Sequence, residues 1–228
     1  MTGAALAELA WPDLEQGRQR VLVVPLGATE QHGPHLPLST DSAIAEALAR
    51  VVAERLDGVT VAPLLAYGAS GEHEGFPGTV SIGAEALELL LVELCRSATT
   101  RFERVLLLSA HGGNAAPLRA AVERLRAESR DVRAWSPSWD GDAHAGRTET
   151  SLMLALAPER VRLQAAAAGN AAPLDELLPA LRAGGVRPVA PNGVLGDPAG
   201  ASAEEGLTLL TTAADELAAV IAAWENGG

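Results

Sequence analysis

Short apolar runs alternate with longer amphipathic stretches along most of the chain. Four runs rich in Val and Leu have the length and composition of buried strands: residues 20–27, 59–63, 104–110 and 132–135. Four longer stretches carry apolar residues at helical spacing: residues 39–56, 84–99, 115–129 and 148–157. This alternation predicts an α/β fold, with a mostly parallel sheet flanked by helices on both faces.

The last third of the chain is less regular. Residues 165–200 contain several Gly and Pro, which predicts loops around one short helix at residues 174–182. Residues 203–224 predict a terminal helix. Because no repeat and no long linker interrupts the sequence, we expect a single domain over residues 1–228.

Composition and charge argue against several kinds of partner. The chain has 228 residues and a formal net charge of -12, and its 17 basic residues are dispersed. We therefore expect no nucleic acid and no anionic membrane as partner. The N-terminus lacks a cationic start, which makes it a poor signal peptide. We also expect no apolar stretch of the roughly 18–20 residues that spans a bilayer, and hence a cytoplasmic protein.

The chain has one cysteine, Cys95, which cannot form an internal disulfide. It lies in an apolar helical run, so we expect a buried structural thiol. A nucleophilic role is the less favoured alternative, because no His or Asn in the sequence is obviously placed to serve it.

The histidines carry the strongest chemical signal. All five fall in predicted loops or turns beside Gly, Glu or Asp: His32, His35, His73, His111 and His144. Glu30 and His32 lie two residues apart just after the first strand, so in an extended segment they project to the same side. They can share one metal ion or hold two adjacent ions. Asp41 opens the next helix, either as a bridging carboxylate or as an acid that favours the helix dipole.

His111 directly follows the third predicted strand, in the motif SAHGGN. Ligands of parallel sheets bind at the carboxyl ends of the strands, so His111 should meet the Glu30 and His32 segment. Gly112 and Gly113 let the backbone turn sharply or approach a ligand closely. A phosphate-binding loop is the competing interpretation, and it is disfavoured because a histidine leads the motif and no basic residue follows closely.

His144 and Glu149 form the last candidate pair. Glu149 begins a helix as a metal ligand or a capping acid, and His144 is a ligand or a proton shuttle. Carboxylates combined with imidazoles suit Zn²⁺, Mn²⁺ or Fe²⁺. The sequence therefore predicts a divalent-metal centre with Glu30, His32, Asp41 and His111 as candidate ligands and Glu149 as a ligand or a capping acid.

Other residues near these motifs have two interpretations each. The loop at residues 68–79 is a pocket wall or a subunit contact, and a third metal site is the alternative; it carries Glu72, His73 and Glu74. Trp135 and Trp139 line the pocket or pack in the core. Arg147 pairs with a substrate carboxylate or is exposed.

Four blocks of sequence, in this order, resemble the creatininase family of amidohydrolases: GATEQHGPHLPLSTD, YGASGEHEGFPGTVSI, SAHGGN and DAHAGRTETS. The resemblance covers roughly residues 20–160. It implies a compact α/β fold and a centre of two divalent ions (Zn, Fe or Mn) that hydrolyses cyclic or linear amides. It also implies a homo-oligomer, commonly a hexamer.

The resemblance assigns roles to individual residues. Glu30, His32, Asp41 and His111 match the metal ligands of the family, with Asp41 as the bridge. Creatininase has a glutamate two residues after the histidine that matches His111, and Gly113 stands there in this chain. This departure counts against creatinine as the substrate and requires another ligand.

We expect Glu149 to replace the missing ligand, or else to orient His144. For His144 we expect a catalytic role, the donation of a proton to the leaving amine.

Further blocks resemble the peptidase branch of that family that serves mycofactocin biosynthesis: AYGASGEH, AGNAAPL and GVLGDPAGASAEEG. This likeness reaches about residue 210. It implies a small modified precursor peptide as substrate, cut before its C-terminal Val–Tyr-derived unit during the synthesis of a redox cofactor.

Two alternative functions stay open from the sequence. One is another hydrolase of the family, acting on a small cyclic amide or a formamide. The other is a noncatalytic protein with a structural metal, which is disfavoured because structural zinc sites are usually closed and four-coordinate. The residues here are rich in carboxylates, and the glycines beside them leave room for a ligand.

Overall fold

The computed structural model of the chain describes residues 3–15 and 19–227. In these residues five strands form a sheet: Ala4–Ala5 (β1), Gln19–Leu26 (β2), Val59–Val61 (β3), Phe102–Ser109 (β4) and Val132–Trp135 (β5). The strand order is β1-β3-β2-β4-β5, and every neighbouring pair runs parallel. The predicted parallel α/β sheet is confirmed.

Helices connect these strands and complete the C-terminal third. They are Thr40–Arg55 (α1), Ala84–Ala98 (α2), Ala115–Ala127 (α3), Arg147–Leu156 (α4), Leu174–Gly184 (α5), Val186–Val189 (α6) and Ala203–Glu225 (α7). Each helix predicted from the sequence is present, and its ends differ by only a few residues. The sequence did not predict β1 or α6, because elements of two and four residues are too short to show a period.

The two faces of the sheet carry separate cores. Val21 and Val23 of β2 face one side and pack with α1 and α7, whereas Leu22 and Val24 face the other side. Successive side chains of a strand point to opposite faces, so a continuous apolar run buries both. The predicted helical layers on both faces are therefore confirmed.

Cys95 lies in the second of these cores and is fully buried. Burial raises the pKa of its thiol to about 12, so the sulfur stays protonated and unreactive near neutral pH. The prediction of a buried thiol is confirmed.

Helix α7 corrects one expectation about membrane segments. It is 23 residues long, and an 18-residue window has a mean hydropathy of 1.4, so by length and composition alone it fits a membrane span. The expectation that no stretch of the chain is long and apolar enough was wrong. One face of α7 packs against the sheet and α1 through Leu210, Leu217 and Ile221, as in a core helix.

The ends of β2 and β4 bring chemistry to one edge of the sheet. Glu30 and His32 follow β2, and His111 follows β4. At Gly27, a side chain would overlap Ser42 of α1. This close approach seats the first turn of α1, which carries Asp41, against the end of β2.

Candidate metal centre

A buried cluster of histidines and carboxylates lies at this edge of the sheet. Its side chains fall into three overlapping groups, in each of which one donor atom per residue lies within 4.8 Å of the others; the members are Glu30, His32, Asp41, His73, His111, His144 and Glu149. The structure thus brings together all five predicted metal ligands and the predicted catalytic His144. It adds His73, which the sequence placed only in a loop near the site.

The first group consists of Glu30, Asp41 and His111. The Nε2 atom of His111 lies 3.1 Å from Glu30 Oε2, and its Nδ1 atom lies 3.5 Å from Asp41 Oδ2. All three residues are buried. They come from the ends of two strands and the start of α1, which explains why residues so far apart in sequence meet.

The second group consists of His32, His144 and Glu149. It adjoins Asp41 through His32. His32 Nε2 is 3.2 Å from Asp41 Oδ1 and 3.8 Å from Glu149 Oε2. The imidazole ring of His144 lies beside that of His32, tilted by 44°, with 4.2 Å between centroids. Asp41 therefore directs one carboxylate oxygen to each group, which is the geometry that a bridging carboxylate needs.

Glu149 belongs to this second group by position. Its Oε2 accepts a hydrogen bond from the backbone N–H of Ala145 at 2.5 Å, just before the start of α4. The carboxylate of Glu149 therefore makes the contact expected of a helix-capping acid and also lies where a metal ligand would. Its contact with the centre is to His32, and no close contact joins it to His111 among the described residues.

Gln31 links His73 and His144 in a network that the sequence did not indicate. Its Oε1 accepts from the N–H of Gly33 at 2.9 Å, and its Nε2 donates to Gly193 O at 3.1 Å, which fixes the amide orientation. The same Nε2 lies 2.8 Å from His73 Nδ1. This nitrogen of His73 therefore accepts, and its Nε2 faces Glu30 Oε1 at 3.3 Å.

The backbone of Gln31 holds His144. The Nε2 atom of His144 lies 2.8 Å from Gln31 O, to which it donates. Its Nδ1 then faces the cluster, 4.0 Å from Glu30 Oε1. A ring nitrogen hydrogen-bonded to a backbone carbonyl is the usual way of orienting a functional histidine.

His35 lies apart from the cluster and is fully buried. Its Nε2 is 2.9 Å from the hydroxyl oxygen of Thr150 in α4. This histidine supports the start of the helix that carries Glu149.

Burial and charge oppose each other at the histidines of the centre. Burial alone would lower the pKa of His32, but Asp41 and Glu149 outweigh it and raise that pKa to about 10. In the same way, Glu30 and Asp41 overcome burial and raise the pKa of His111 to about 9. Near neutral pH both rings are therefore doubly protonated and positively charged in the metal-free protein.

At His144 and Asp41 burial outweighs the opposing charges, whereas at Glu30 the neighbouring histidines outweigh burial. Burial, together with the charge of His32, lowers the pKa of His144 to about 4. Burial, opposed by His32, raises the pKa of Asp41 to about 6. Burial also acts to raise the pKa of Glu30, but His111 and His73 hold that pKa far below its usual range. The centre thus contains an ionised carboxylate and a neutral imidazole side by side.

The donor atoms fit a divalent cation. Both oxygens of Glu30 and the Oδ2 atom of Asp41 are buried and face imidazole nitrogens at 3.1–3.5 Å, but none of them accepts a well-aligned hydrogen bond from the residues that the structure describes. Buried carboxylate oxygens without partners are costly, and a bound cation removes this cost. Carboxylates and imidazoles together suit Zn²⁺, Mn²⁺ or Fe²⁺.

A cavity of about 880 Å³ opens onto the centre. Glu30, His111 and His144 line its floor. Helices α5 and α6 also line the cavity, with Leu174, Leu178, Leu181 and Arg182 of α5 and Arg187 of α6. A ligand of peptide size can therefore reach the buried donor atoms.

Three residues near the site have structural contacts. Trp135 and Trp139 pack against the core of α1 and α7, and neither lines the cavity. Arg147 pairs with both carboxylate oxygens of Glu205, at 3.0 and 2.9 Å. Of the two interpretations for the tryptophans, core packing is the observed one.

Comparisons with known proteins agree with the resemblance to the creatininase family. The family model described as Creatininase: Creatinine amidohydrolase matches residues 7–221. A mycofactocin precursor peptide peptidase of Mycobacterium ulcerans (strain Agy99) is 53% identical over an alignment of 216 residues, and the match covers 90% of this chain and 86% of that relative. A creatinine amidohydrolase of Pseudomonas putida is 31% identical, over 69% of this chain and 74% of that relative.

Solved structures show the same similarity. A tryptophan-to-alanine variant of creatininase has a TM-score of 0.84 at 27% identity, and the match covers 98% of this chain and 99% of that chain. Two more creatininase structures are described as a Mn form and, for a glutamate-to-glutamine variant, a Zn–Zn form, with TM-scores of 0.79 and 0.78.

Proposed function

The chain belongs to the creatininase family, and from this membership we propose that it cleaves the mycofactocin precursor peptide. The observation that carries the proposal is the identity of 53% and 50% to two peptidases of that name, each over 90% of this chain. The creatinine amidohydrolase of Pseudomonas putida shares only 31%. The chain is thus a creatininase-family amidohydrolase, and the peptide is its proposed substrate.

We propose that two divalent ions, Zn, Fe or Mn, act as cofactors. Glu30, Asp41 and His111 would hold one ion, and His32 and Glu149 would hold the other together with Asp41. Bound ions of this kind polarise a carbonyl and lower the pKa of a water, which supplies a nucleophile near neutral pH.

His144 is the proposed proton carrier. Its Nε2 is held by Gln31 O, so its Nδ1 is the free nitrogen, and the ring lines the cavity. A neutral imidazole in this orientation can take a proton at Nδ1 and pass it to the leaving amine nitrogen. Gln31 acts as a positioning residue for this ring and for His73.

The cavity supports a peptide with an apolar C-terminal unit. Its lining includes leucine side chains of α5, and its floor presents the donor atoms. A Val–Tyr-derived unit would bury apolar surface against these leucines while the preceding amide reaches Glu30 and His144.

The proposal is tested with the modified precursor peptide. The expected result is release of the C-terminal unit, detected by mass spectrometry, with loss of the reaction after chelation and its return after adding metal. Creatinine and a formamidopyrimidine serve as alternative substrates. Turnover of either one, with an intact peptide, would replace the proposed substrate; full activity in a verified metal-free sample would exclude the metal-dependent scheme.

We further propose a cytoplasmic homo-oligomer, a hexamer or similar, with one domain per chain and no nucleic acid or membrane partner. The packing of α7 against the core supports the absence of a membrane partner. The net charge of -12 supports the absence of a nucleic-acid partner.

A further inference from the structure

Strand β5 forms one edge of the sheet, with β4 as its one neighbouring strand among the described residues. The backbone N–H of Val105 in β4 donates to Asp131 O at 3.1 Å. Alternate residues of a parallel strand bond to the same neighbour, so Arg133 and Trp135 face β4. The N–H and C=O of the exposed Ala134 therefore point away from the sheet, where an added strand can bond to them.

A groove of about 400 Å³ follows this free edge between β5 and α3, and we call it the edge groove. Apolar side chains line part of it, among them Leu118, Val122 and Trp135. Its charged lining residues are Arg119, Glu123, Arg126 and Arg133. Three cations and one anion make the edge groove basic in a chain whose net charge is -12. It therefore favours a negatively charged ligand.

Two of the arginines differ in what they leave free. Arg126 Nε donates to Val132 O at 3.2 Å and so covers the amino end of β5. Arg119 is exposed and has no ion pair or hydrogen bond within the described residues. The free backbone groups of Ala134 and the free charge of Arg119 are thus both available to one ligand of the edge groove.

The edge groove meets the cavity of the metal centre. Gly113 lines the cavity and Ala115 lines the groove, so at most about 7 Å of backbone separates the two linings. Leu108 of β4 pairs with Trp135, and His111 follows β4 closely, so both spaces lie at the same edge of the sheet. One extended ligand can therefore occupy the groove and reach the metal centre.

We propose that the edge groove binds the part of the peptide substrate that precedes the scissile amide, as an extended acidic segment added parallel to β5. This role rests on the proposed function, which makes the substrate a peptide. With the C-terminal unit in the cavity, the preceding chain passes Gly112 and Gly113 and follows β5 for about four residues at about 3.3 Å each. Backbone hydrogen bonds to Ala134 supply affinity, and Arg119 selects carboxylate side chains.

Peptide binding tests the edge groove separately from cleavage. The metal-loaded protein is titrated against two fluorescein-labelled probes, the unmodified precursor peptide and its last four residues. Fluorescence anisotropy should show about tenfold tighter binding of the longer probe, the effect of one or two added hydrogen bonds. Ala134→Pro removes the outward N–H where an edge strand tolerates proline, and Arg119→Glu reverses the free charge. Each is expected to reduce the advantage of the longer probe to about twofold or less.

Arg124→Glu is the matched control, because Arg124 lies on the same helix, is exposed and does not line the edge groove. It should keep the full advantage. An advantage that is absent from the unchanged protein, or is kept by either folded groove variant, would overturn the docking site, while cleavage of the modified peptide would still support the proposed function. An advantage that needs Ala134 and Arg119, without cleavage of the modified peptide, would keep the docking site and remove the proposed function.

A second copy of the chain is the other occupant that a free strand edge invites. Pairing of two copies through β5 would bring two basic grooves together, which repulsion of like charges disfavours. In sedimentation velocity, Ala134→Pro and Arg119→Glu are therefore expected to keep the oligomeric state of the unchanged protein. A smaller assembly in both variants would make the groove a contact between copies and overturn its role in peptide binding.

Discussion

Asp41 shows at the residue scale how one side chain can satisfy two interpretations of the sequence. It lies in the first turn of α1, where the helix dipole favours a negative charge. It also directs Oδ1 towards His32 and Oδ2 towards His111. The sequence offered a helix-start acid and a bridging carboxylate as alternatives, and the geometry accommodates both.

Glu149 allows the two roles proposed from the sequence to be separated. In Glu149→Gln the amide oxygen can still accept from Ala145 N, so the start of α4 is kept, but the negative charge beside His32 is lost. We expect the variant to retain one ion of two, with a thermal midpoint close to that of the unchanged protein after chelation. Elemental analysis of the purified protein provides the measurement.

Glu46→Gln on the exposed side of α1 is the control for a removed carboxylate, and it should keep both ions. Full metal content in Glu149→Gln, combined with slow turnover, would show instead that Glu149 orients His144.

At the scale of elements, the positions of the site residues follow from strand ends and helix starts. Apolar runs predicted β2 and β4, and parallel strands end at the same edge, so Glu30, His32 and His111 were expected to meet. The loop with His73 was flagged only by its composition. Gln31 reaches His73 and Gly193 across 42 and 162 residues, and no local pattern encodes such contacts.

The packing of α4 against α7 gives a prediction about stability. A Cβ atom on Gly206 of α7 would overlap the backbone oxygen of Ser151 in α4. Ala favours a helix over Gly by up to about 1 kcal/mol, but a clash with backbone costs about 1–3 kcal/mol. We expect Gly206→Ala to lower the free energy of unfolding in urea, and to weaken metal binding because α4 carries Glu149.

Gly184→Ala is the matched control for this change. Gly184 ends α5, and a Cβ there would meet only Pro188 Cγ at 3.5 Å, an ordinary contact. The control should be neutral or slightly stabilising. A Gly206→Ala protein at least as stable as the unchanged chain would show that α4 and α7 are farther apart in solution.

At the scale of the whole molecule, the length and hydropathy of α7 suggest a membrane span, whereas its packing shows a helix with one face in the core. Only 33% of its most apolar window is buried, and the rest consists largely of small apolar residues and threonines. Hydropathy counts such residues without regard to the face they occupy. The fold class was predictable from the order of elements, whereas the role of α7 required its packing partners.

Metal and protons compete for the whole centre, and this competition predicts a pH dependence. The pKa values of His32 and His111, raised to about 10 and 9 from an ordinary 6.5, mean that both rings are protonated at pH 7.5 in the metal-free protein. A raised pKa contributes stability that is complete below pH 6.5 and is lost as pH rises through the folded value. The metal-free protein should therefore lose stability between about pH 6.5 and 10.

Metal ligands must be deprotonated, so ion binding at His32 and His111 releases protons and strengthens as pH rises. The stabilisation by a bound ion follows its affinity. We therefore expect the difference in thermal midpoint between Mn²⁺-loaded and chelated protein to widen from pH 6.5 to 8.5, as followed by calorimetry. A difference that stayed constant over this range would mean that His32 and His111 do not give up protons to the ions, and hence that they are not ligands.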